Sequence, residues 1–213
     1  MSQAKDYFNI KLVHENFEAA VHEDDDVLLQ YYLDSFEELN KFFNLIGTVF
    51  GFVSKDLRAK MNLLQELMKD SRDPDSFKSV KGMIEYEKQN ELLYKDGYTS
   101  GSRTLLRLHR GLEFIHLFLK KIGEIQNEDS TSGVCKDAYE QTLAKHHSFL
   151  IRNGAKIAIY SLPTKSSLLH RVCGEPENIQ TAMEHLPKTL EITSTVYQRI
   201  ENLYTLHDLH QLP

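Results

Sequence analysis

The chain has 213 residues, 41% of them apolar, and a formal net charge of −6. That length suits one domain with a sizeable core, and the acidic balance argues against a general nucleic-acid binder, whose domain is usually basic. Its two cysteines, Cys135 and Cys173, stand at no metal-ligand or CxxC spacing and are expected to be reduced thiols of a cytosolic protein.

Helical periodicity dominates the chain from end to end. Phe8, Leu12, Val13, Phe17 and Ala20 form the apolar stripe of a first helix, which the acidic cluster Glu23 to Asp26 interrupts. A second, long helix is predicted from about Val27 to Phe52. Ser54 is the candidate N-cap of a third helix, which carries Asp56, Lys60, Leu63, Leu64 and Leu67, and Ser76 is the candidate N-cap of a fourth that runs to Leu93. KDGYTSG (95–101) is a loop, and a helix follows from about Ser102 to Ile125. Further helices are predicted near Val134 to Lys145, in the apolar run after His147 that Pro163 terminates, and near Lys165 to Val172. A last helix spans about Asn178 to Leu206, and Pro187 should split or kink it. No alternating strand pattern, internal repeat or change of composition is present. The expectation is an all-α protein of about eight helices, residues 1–213 forming one domain.

The helix after Ser102 carries the main puzzle. Arg103, Arg107 and Arg110 recur at i, i+4 and i+7, so they stack on one face, which continues as Phe114, Leu117 and Phe118. A second apolar row, Leu105, Leu108, Leu112, Ile115 and Leu119, leaves this helix apolar most of the way round, the pattern of a buried helix. Guanidinium groups on such a face call for an anion at one end and hydrocarbon beyond it, which an amphiphile with an acidic head supplies. The third helix repeats the theme, with Asp56 and Lys60 on a stripe with Val53, Leu63 and Leu67. The plain alternatives are an i, i+4 ion pair for Asp56 and Lys60, and pairing of the arginines with Glu37, Glu38 or Glu85. Both are weakened by their combination, because two helices place cations on packing faces.

The histidines offer less. His146 and His147 are adjacent, so from a helix they point in different directions. No HExxH, Cys/His framework, GxSxG, P-loop or GxGxxG occurs, so no metal, cofactor or catalytic machinery is expected.

Four stretches carry a resemblance: NLIGTVFGFVSKDLRAKM (44–61), SGSRTLLRLHRGLEF (100–114), CKDAYEQTLAKHHSF (135–149) and the ending LYTLHDLHQLP. In this order along nearly the whole chain, the sequence resembles the glycolipid transfer protein superfamily, most closely its ceramide-1-phosphate transfer branch. The resemblance implies an all-helical two-layer sandwich with a hydrophobic lipid pocket between the layers. It implies that Asp56 takes the ceramide amide N–H and hydroxyl, and that His147 donates to the amide carbonyl. Lys60, Arg103 and Arg107 then hold the phosphate, with Arg110 as an auxiliary cation.

In glycolipid-binding relatives a tryptophan stands at position 107, stacked under the sugar, and an asparagine at position 60. This chain has no tryptophan. A guanidinium suits a phosphate, which accepts forked, charge-assisted hydrogen bonds, better than it suits a neutral sugar. Many members also carry a membrane-docking tryptophan shortly after the recognition histidine, where this chain has Phe149, which lacks the indole N–H. The implied function is carriage of ceramide-1-phosphate or a related sphingolipid between membranes, with transient peripheral membrane contact and no bond made or broken. Candidate pocket residues are Phe42, Phe43, Ile46, Phe50 and Phe52, with Phe114, Phe118, Phe149, Ile157 and Tyr160. The rival readings are a glycolipid carrier, a helical module whose basic pocket takes a phosphorylated partner or an inositol phosphate, and, weakest, a hydrolase.

Overall fold

The computed structural model describes residues 6–70 and 72–213. Among them nine α-helices form: α1 Ile10–Ala20, α2 Leu29–Ile46, α3 Gly51–Asp70, α4 Val80–Gln89, α5 Gly101–Glu124, α6 Thr131–Gln141, α7 Phe149–Tyr160, α8 Lys165–Cys173 and α9 Pro176–Leu206. Short 3-10 turns, Thr48–Phe50 and Leu143–His146 among them, join several of these. No strand forms among the described residues; isolated bridges such as Val21 to Val27 only pin loops.

The core is continuous. α1 packs on α2 and α9, α2 on α3 and α8, and α5 lies at the centre against α3, α4, α6 and α9. Phe17, Tyr32, Phe36, Phe43, Phe77 and Phe118 are among its fully buried rings. Burial of that much apolar area dominates the favourable side of folding, at about 25 cal/mol per Å².

Several boundaries differ from the sequence reading. The long second helix stops at Ile46, and a 3-10 turn over Thr48–Phe50 leads into α3 at Gly51. Ser54 therefore lies inside α3 and caps nothing. Ser79, not Ser76, caps α4 by accepting from Gly82 N at 3.2 Å, while Ser76 Oγ donates to Asp73. On α1, Leu12 is 41% exposed, and Ile10 takes the inward position. α9 runs unbroken through Pro187, because its buried Leu186, Thr189, Thr193 and Val196 hold the helix to the core on both sides of the missing N–H.

Candidate functional site

α5 is set in place before its arginines come into play. The Ser100 hydroxyl accepts from Arg103 N at 3.2 Å, and the buried Glu87 carboxylate of α4 accepts from Gly101 N (2.6 Å), Ser102 N (2.9 Å), Ser100 Oγ (2.6 Å) and Tyr98 Oη (2.8 Å). A carboxylate at a helix N-terminus satisfies orphan donors and complements the helix dipole. Gly101 permits the approach of α4, since a Cβ there would meet Met83 Sδ at 2.6 Å. At the first turn, Tyr204 Oη of α9 donates to Ser102 O at 2.6 Å. α5 is thereby fixed along its axis.

A cavity of about 570 Å³ opens between α3, α5, α6 and α7. Its walls are mostly apolar, formed by Phe43, Phe50, Phe114, Ile115, Ala158 and Ile159, with Phe52 at the rim. Its polar end brings together Asp56 and Lys60 of α3, Arg107 and Arg110 of α5, His146 and His147, and Pro213. Asp56 and Lys60 form the i, i+4 ion pair, with the Lys60 side chain 16% exposed and that of Asp56 64% exposed. They do not sit on the core stripe of α3: Ser54, Leu57, Met61 and Leu64 are the buried face, and the charged pair flanks it on the cavity side. The puzzle of charges on a packing face is thus one of helical phase, a step of about 100°.

Among the described residues the three arginines pair with no side-chain carboxylate. Glu37 pairs with Arg58 and Glu38 with Lys41. Each arginine donates to a main-chain oxygen: Arg103 Nη2 to Tyr98 O (2.9 Å), Arg107 Nη2 to O of Pro213, the last residue of the sequence (3.1 Å), and Arg110 Nη2 to His210 O (2.8 Å). Arg107 and Arg110 border the cavity, whereas Arg103 is turned to the loop before α5 and does not. Burial, and then the charge of Arg107, pull the Arg110 pKa below its ordinary value.

His147 meets Tyr139 of α6, whose hydroxyl lies 2.9 Å from Nδ1. Burial holds its imidazole pKa below the ordinary value, with Asp56 opposing and Lys60 assisting. With Tyr139 as donor, the neutral ring carries its proton on Nε2. His146 borders the cavity too, against the sequence expectation that adjacent histidines diverge. That expectation assumed a helix; the segment is a 3-10 turn ending at His146, with His147 extended (φ −102°, ψ 141°).

Of the expected pocket residues, Phe43, Phe50, Phe52 and Phe114 line the cavity. Phe42, Ile46 and Phe118 are core instead, Phe42 packing edge-on against Phe8, Phe43 and Phe118. Phe149, Ile157 and Tyr160 are 72%, 69% and 72% exposed on the outer face of α7, whose inner face presents Ile151, Ala155, Ala158 and Ile159. Sequence reasoning missed the small residues. Gly111, one turn after Arg107, has open space where a Cβ would stand, and with Ala155 and Ala158 it lines the cavity. Residues that create space by being small carry no sequence signal of their own. No helix among the described residues is long and apolar enough to cross a membrane, and no cluster of three metal-ligating side chains occurs among them.

Comparison with known proteins agrees with this geometry. The sequence pattern of the glycolipid transfer protein (GLTP) family matches residues 27–174. The ceramide-1-phosphate transfer protein of Danio rerio is 34% identical, with 98% of this chain and 99% of that protein covered. The crystal structure of mouse ceramide-1-phosphate transfer protein in its apo form superposes with a TM-score of 0.89 at 34% identity, over 97% of this chain and 100% of that one. The human protein in complex with 12:0 ceramide-1-phosphate gives 0.85 at 32% identity, again over 97% and 100%. The two-layer all-α sandwich expected from the sequence is therefore the fold observed. With the family's pattern matched across every cavity-lining helix and relatives alike over their full length, this chain belongs to the glycolipid transfer protein family.

Proposed function

We propose that this protein binds ceramide-1-phosphate and carries it between membranes, residues 1–213 acting as one lipid-transfer domain. The observation that carries the reading is an apolar cavity whose polar end gathers Lys60, Arg107 and Arg110, with neither arginine paired to a side-chain carboxylate among the described residues. A phosphate head between Lys60, Arg107 and Arg110 receives charge-assisted, forked hydrogen bonds while its chains stay in hydrocarbon. Arg103, one turn before Arg107, adds long-range positive charge and anchors the loop through Tyr98.

Asp56 accepts from the ceramide amide N–H and hydroxyl, with Lys60 orienting its carboxylate. His147 donates from Nε2 to the amide carbonyl, its tautomer set by Tyr139. This pair favours a ceramide backbone over diacylglycerol, which has no amide. Without a carrier, exposing ten methylenes costs about 8 kcal/mol at about 0.8 kcal/mol each. The cavity removes most of that cost, and net transport follows the lipid gradient with no bond chemistry.

The outer face of α7 is the membrane-contacting surface in this reading. Phe149, Leu150, Ile157 and Tyr160 are exposed there, and Arg152 and Lys156 on the same helix suit an anionic interface. The reading places the protein in the cytosol, peripheral to the membranes it visits. Vesicle-to-vesicle transfer of labelled ceramide-1-phosphate, ceramide, sphingomyelin and galactosylceramide tests it. Ceramide-1-phosphate should move fastest. Preference for galactosylceramide favours the glycolipid carrier, and no lipid transfer at all, with tight binding of inositol phosphate, favours the interaction module.

A further inference from the structure

His146 stands at the polar end of the cavity with Lys60, Arg107 and Arg110. It reaches that end because the chain runs as a 3-10 turn over Leu143–His146 and then extends, which turns two adjacent histidines to one space. The two rings are held differently. His147 meets the Tyr139 hydroxyl at 2.9 Å, which fixes its tautomer. The His146 ring makes no hydrogen bond or ion pair among the described residues, and the residue is exposed enough to meet an arriving head.

Partial burial, then Arg110, Lys145 and His147, push the His146 imidazole pKa down to about 4. The surrounding groups are engaged with others. Asp56 of α3 pairs with Lys60 and acts on His147, and Glu201 of α9 meets His109 and acts on Lys145. On α5, Arg107 donates to the main-chain oxygen of Pro213. Tyr139 of α6 is raised by burial against the pull of Arg152 of α7, so it stays neutral. In the empty cavity His146 is therefore neutral near pH 7. A phosphate head reverses the balance, because a phosphate monoester carries a charge of about −1.5 to −2 near pH 7. An opposite charge within about 4–6 Å moves a pKa by about 1–3 toward the charged form, which for an imidazole is upward.

We propose that His146 is a proton-linked ligand of the lipid phosphate: neutral in the empty cavity, it takes up one proton as the head arrives and donates a charge-assisted hydrogen bond to a phosphate oxygen. The inference rests on the ceramide-1-phosphate reading of the cavity. At pH 7 and above the dianionic head brings no proton, and the one that His146 gains comes from solvent. Below about pH 6, where the free phosphate is a monoanion, the head itself supplies it. A fourth fixed cation would repel Lys60, Arg107 and Arg110 in the empty protein, whereas a titrating one appears only with the charge it balances. The His146 pKa is low when the cavity is empty and higher when it is loaded. Its contribution to phosphate binding therefore grows as pH falls and vanishes above the loaded value.

The test follows the His146 imidazole by NMR in the full protein with ring-labelled histidine. Its pKa is measured empty, with short-chain ceramide-1-phosphate and with the matching ceramide. His146→Gln identifies the resonance, and its affinity for both lipids is titrated against the parent at about pH 5 and about pH 8, with thermal unfolding as the check on folding. The pKa should rise by about 1 or more with ceramide-1-phosphate and stay within about 0.3 with ceramide. The ratio of parent to variant affinity for ceramide-1-phosphate should be about two-fold or more larger at the lower pH, because titrations common to both proteins, that of the phosphate included, cancel in the ratio. Ceramide affinity should change by less than about two-fold in the variant. Ceramide-1-phosphate bound with the His146 pKa unmoved overturns the proposal and leaves the carrier reading standing. Equal losses for both lipids in His146→Gln assign the ring to packing and overturn it as well. A parent protein that binds no ceramide-1-phosphate removes the carrier reading itself, and the role of His146 with it.

Discussion

Two of the helices that border the cavity, α5 and α7, are built in opposite ways. α5 is gripped by α3, α4, α6 and α9, with its N-terminus fastened to Glu87 and its arginines held by main-chain oxygens. α7 packs chiefly against α6 and leaves Phe149, Leu150, Ile157 and Tyr160 exposed. One wall is rigid and polar at its end; the other is thin, with small residues inside and large apolar ones outside. A lipid carrier needs both, since headgroup selection requires fixed donors and admission of chains requires a wall that yields at low cost. The contrast predicts that changes on α5 and its partner α3 alter which lipid binds, whereas changes on α7 alter where and how fast the protein loads.

The largest effects should come from the rigid side. Asp56→Val should lower ceramide-1-phosphate transfer about ten-fold or more with helical content unchanged, since a hydrogen bond to a charged group is worth about 1.5–3 kcal/mol. Transfer within about two-fold of the parent would return Asp56 to a surface ion pair. Lys60→Ala and Arg107→Leu should each cut transfer strongly, and the double change should be less than additive because both act on one phosphate. A folded Arg107→Trp, Lys60→Asn protein that still transfers ceramide-1-phosphate would sink the headgroup assignment.

Gly111 tests whether the open space beside it serves as the passage between the head and the tail of the lipid. Gly111→Ala should keep transfer and raise stability by about 0.5–1 kcal/mol, because the added Cβ meets open space and the helix gains propensity. Gly111→Leu should leave the protein folded and block uptake of ceramide and ceramide-1-phosphate alike. If only the phosphate lipid is affected, Gly111 belongs to the head site rather than to the passage.

On the yielding side, Phe149→Ala should weaken vesicle association several-fold, and added salt should weaken it further. Thermal stability should change by no more than about 0.5 kcal/mol, as for an exposed residue. Retained vesicle binding would move docking elsewhere on the surface.

The smallest effect is a pH dependence rooted in α5. Burial, opposed by Glu201, depresses the pKa of the His109 imidazole below 6.5; its ring stacks on Tyr197 at 4.2 Å. The hydrogen bond from His109 lowers the Glu201 carboxyl below 4.5. Both folded values lie below the unfolded ones, so both contributions are fully present above pH 6.5. That of His109 is lost as pH falls below 6.5, and that of Glu201 below 4.5. The Tm should therefore be flat above pH 7 and fall on acidification, with a shallower fall between pH 7 and 5 in His109→Gln. His147, also depressed, adds the same sign. A Tm that rises on acidification would contradict the assignment.

Much of this is legible in the sequence. The 3.6-residue periodicity determined an all-helical chain, and the loop KDGYTSG marked the start of α5 to within a residue. The Asp56, Lys60, Arg103, Arg107 and Arg110 positions stood out because charged groups on apolar stripes demand a partner, whereas His147 entered only through the family resemblance. Those signals are local, and each can be read within one helix. Tertiary structure alone decided which side of each stripe is core and which is cavity. Phe42 and Phe43 are neighbours in sequence, yet one packs inside the core and the other lines the cavity, because a step along a helix rotates the side chain by about 100°. It also decided that Arg103 holds a loop while Arg107 and Arg110 meet main-chain oxygens of Pro213 and His210, about 100 residues away in sequence. Local pattern fixes what a residue is able to do; the carbonyls and spaces around it, supplied by distant segments, fix what it does.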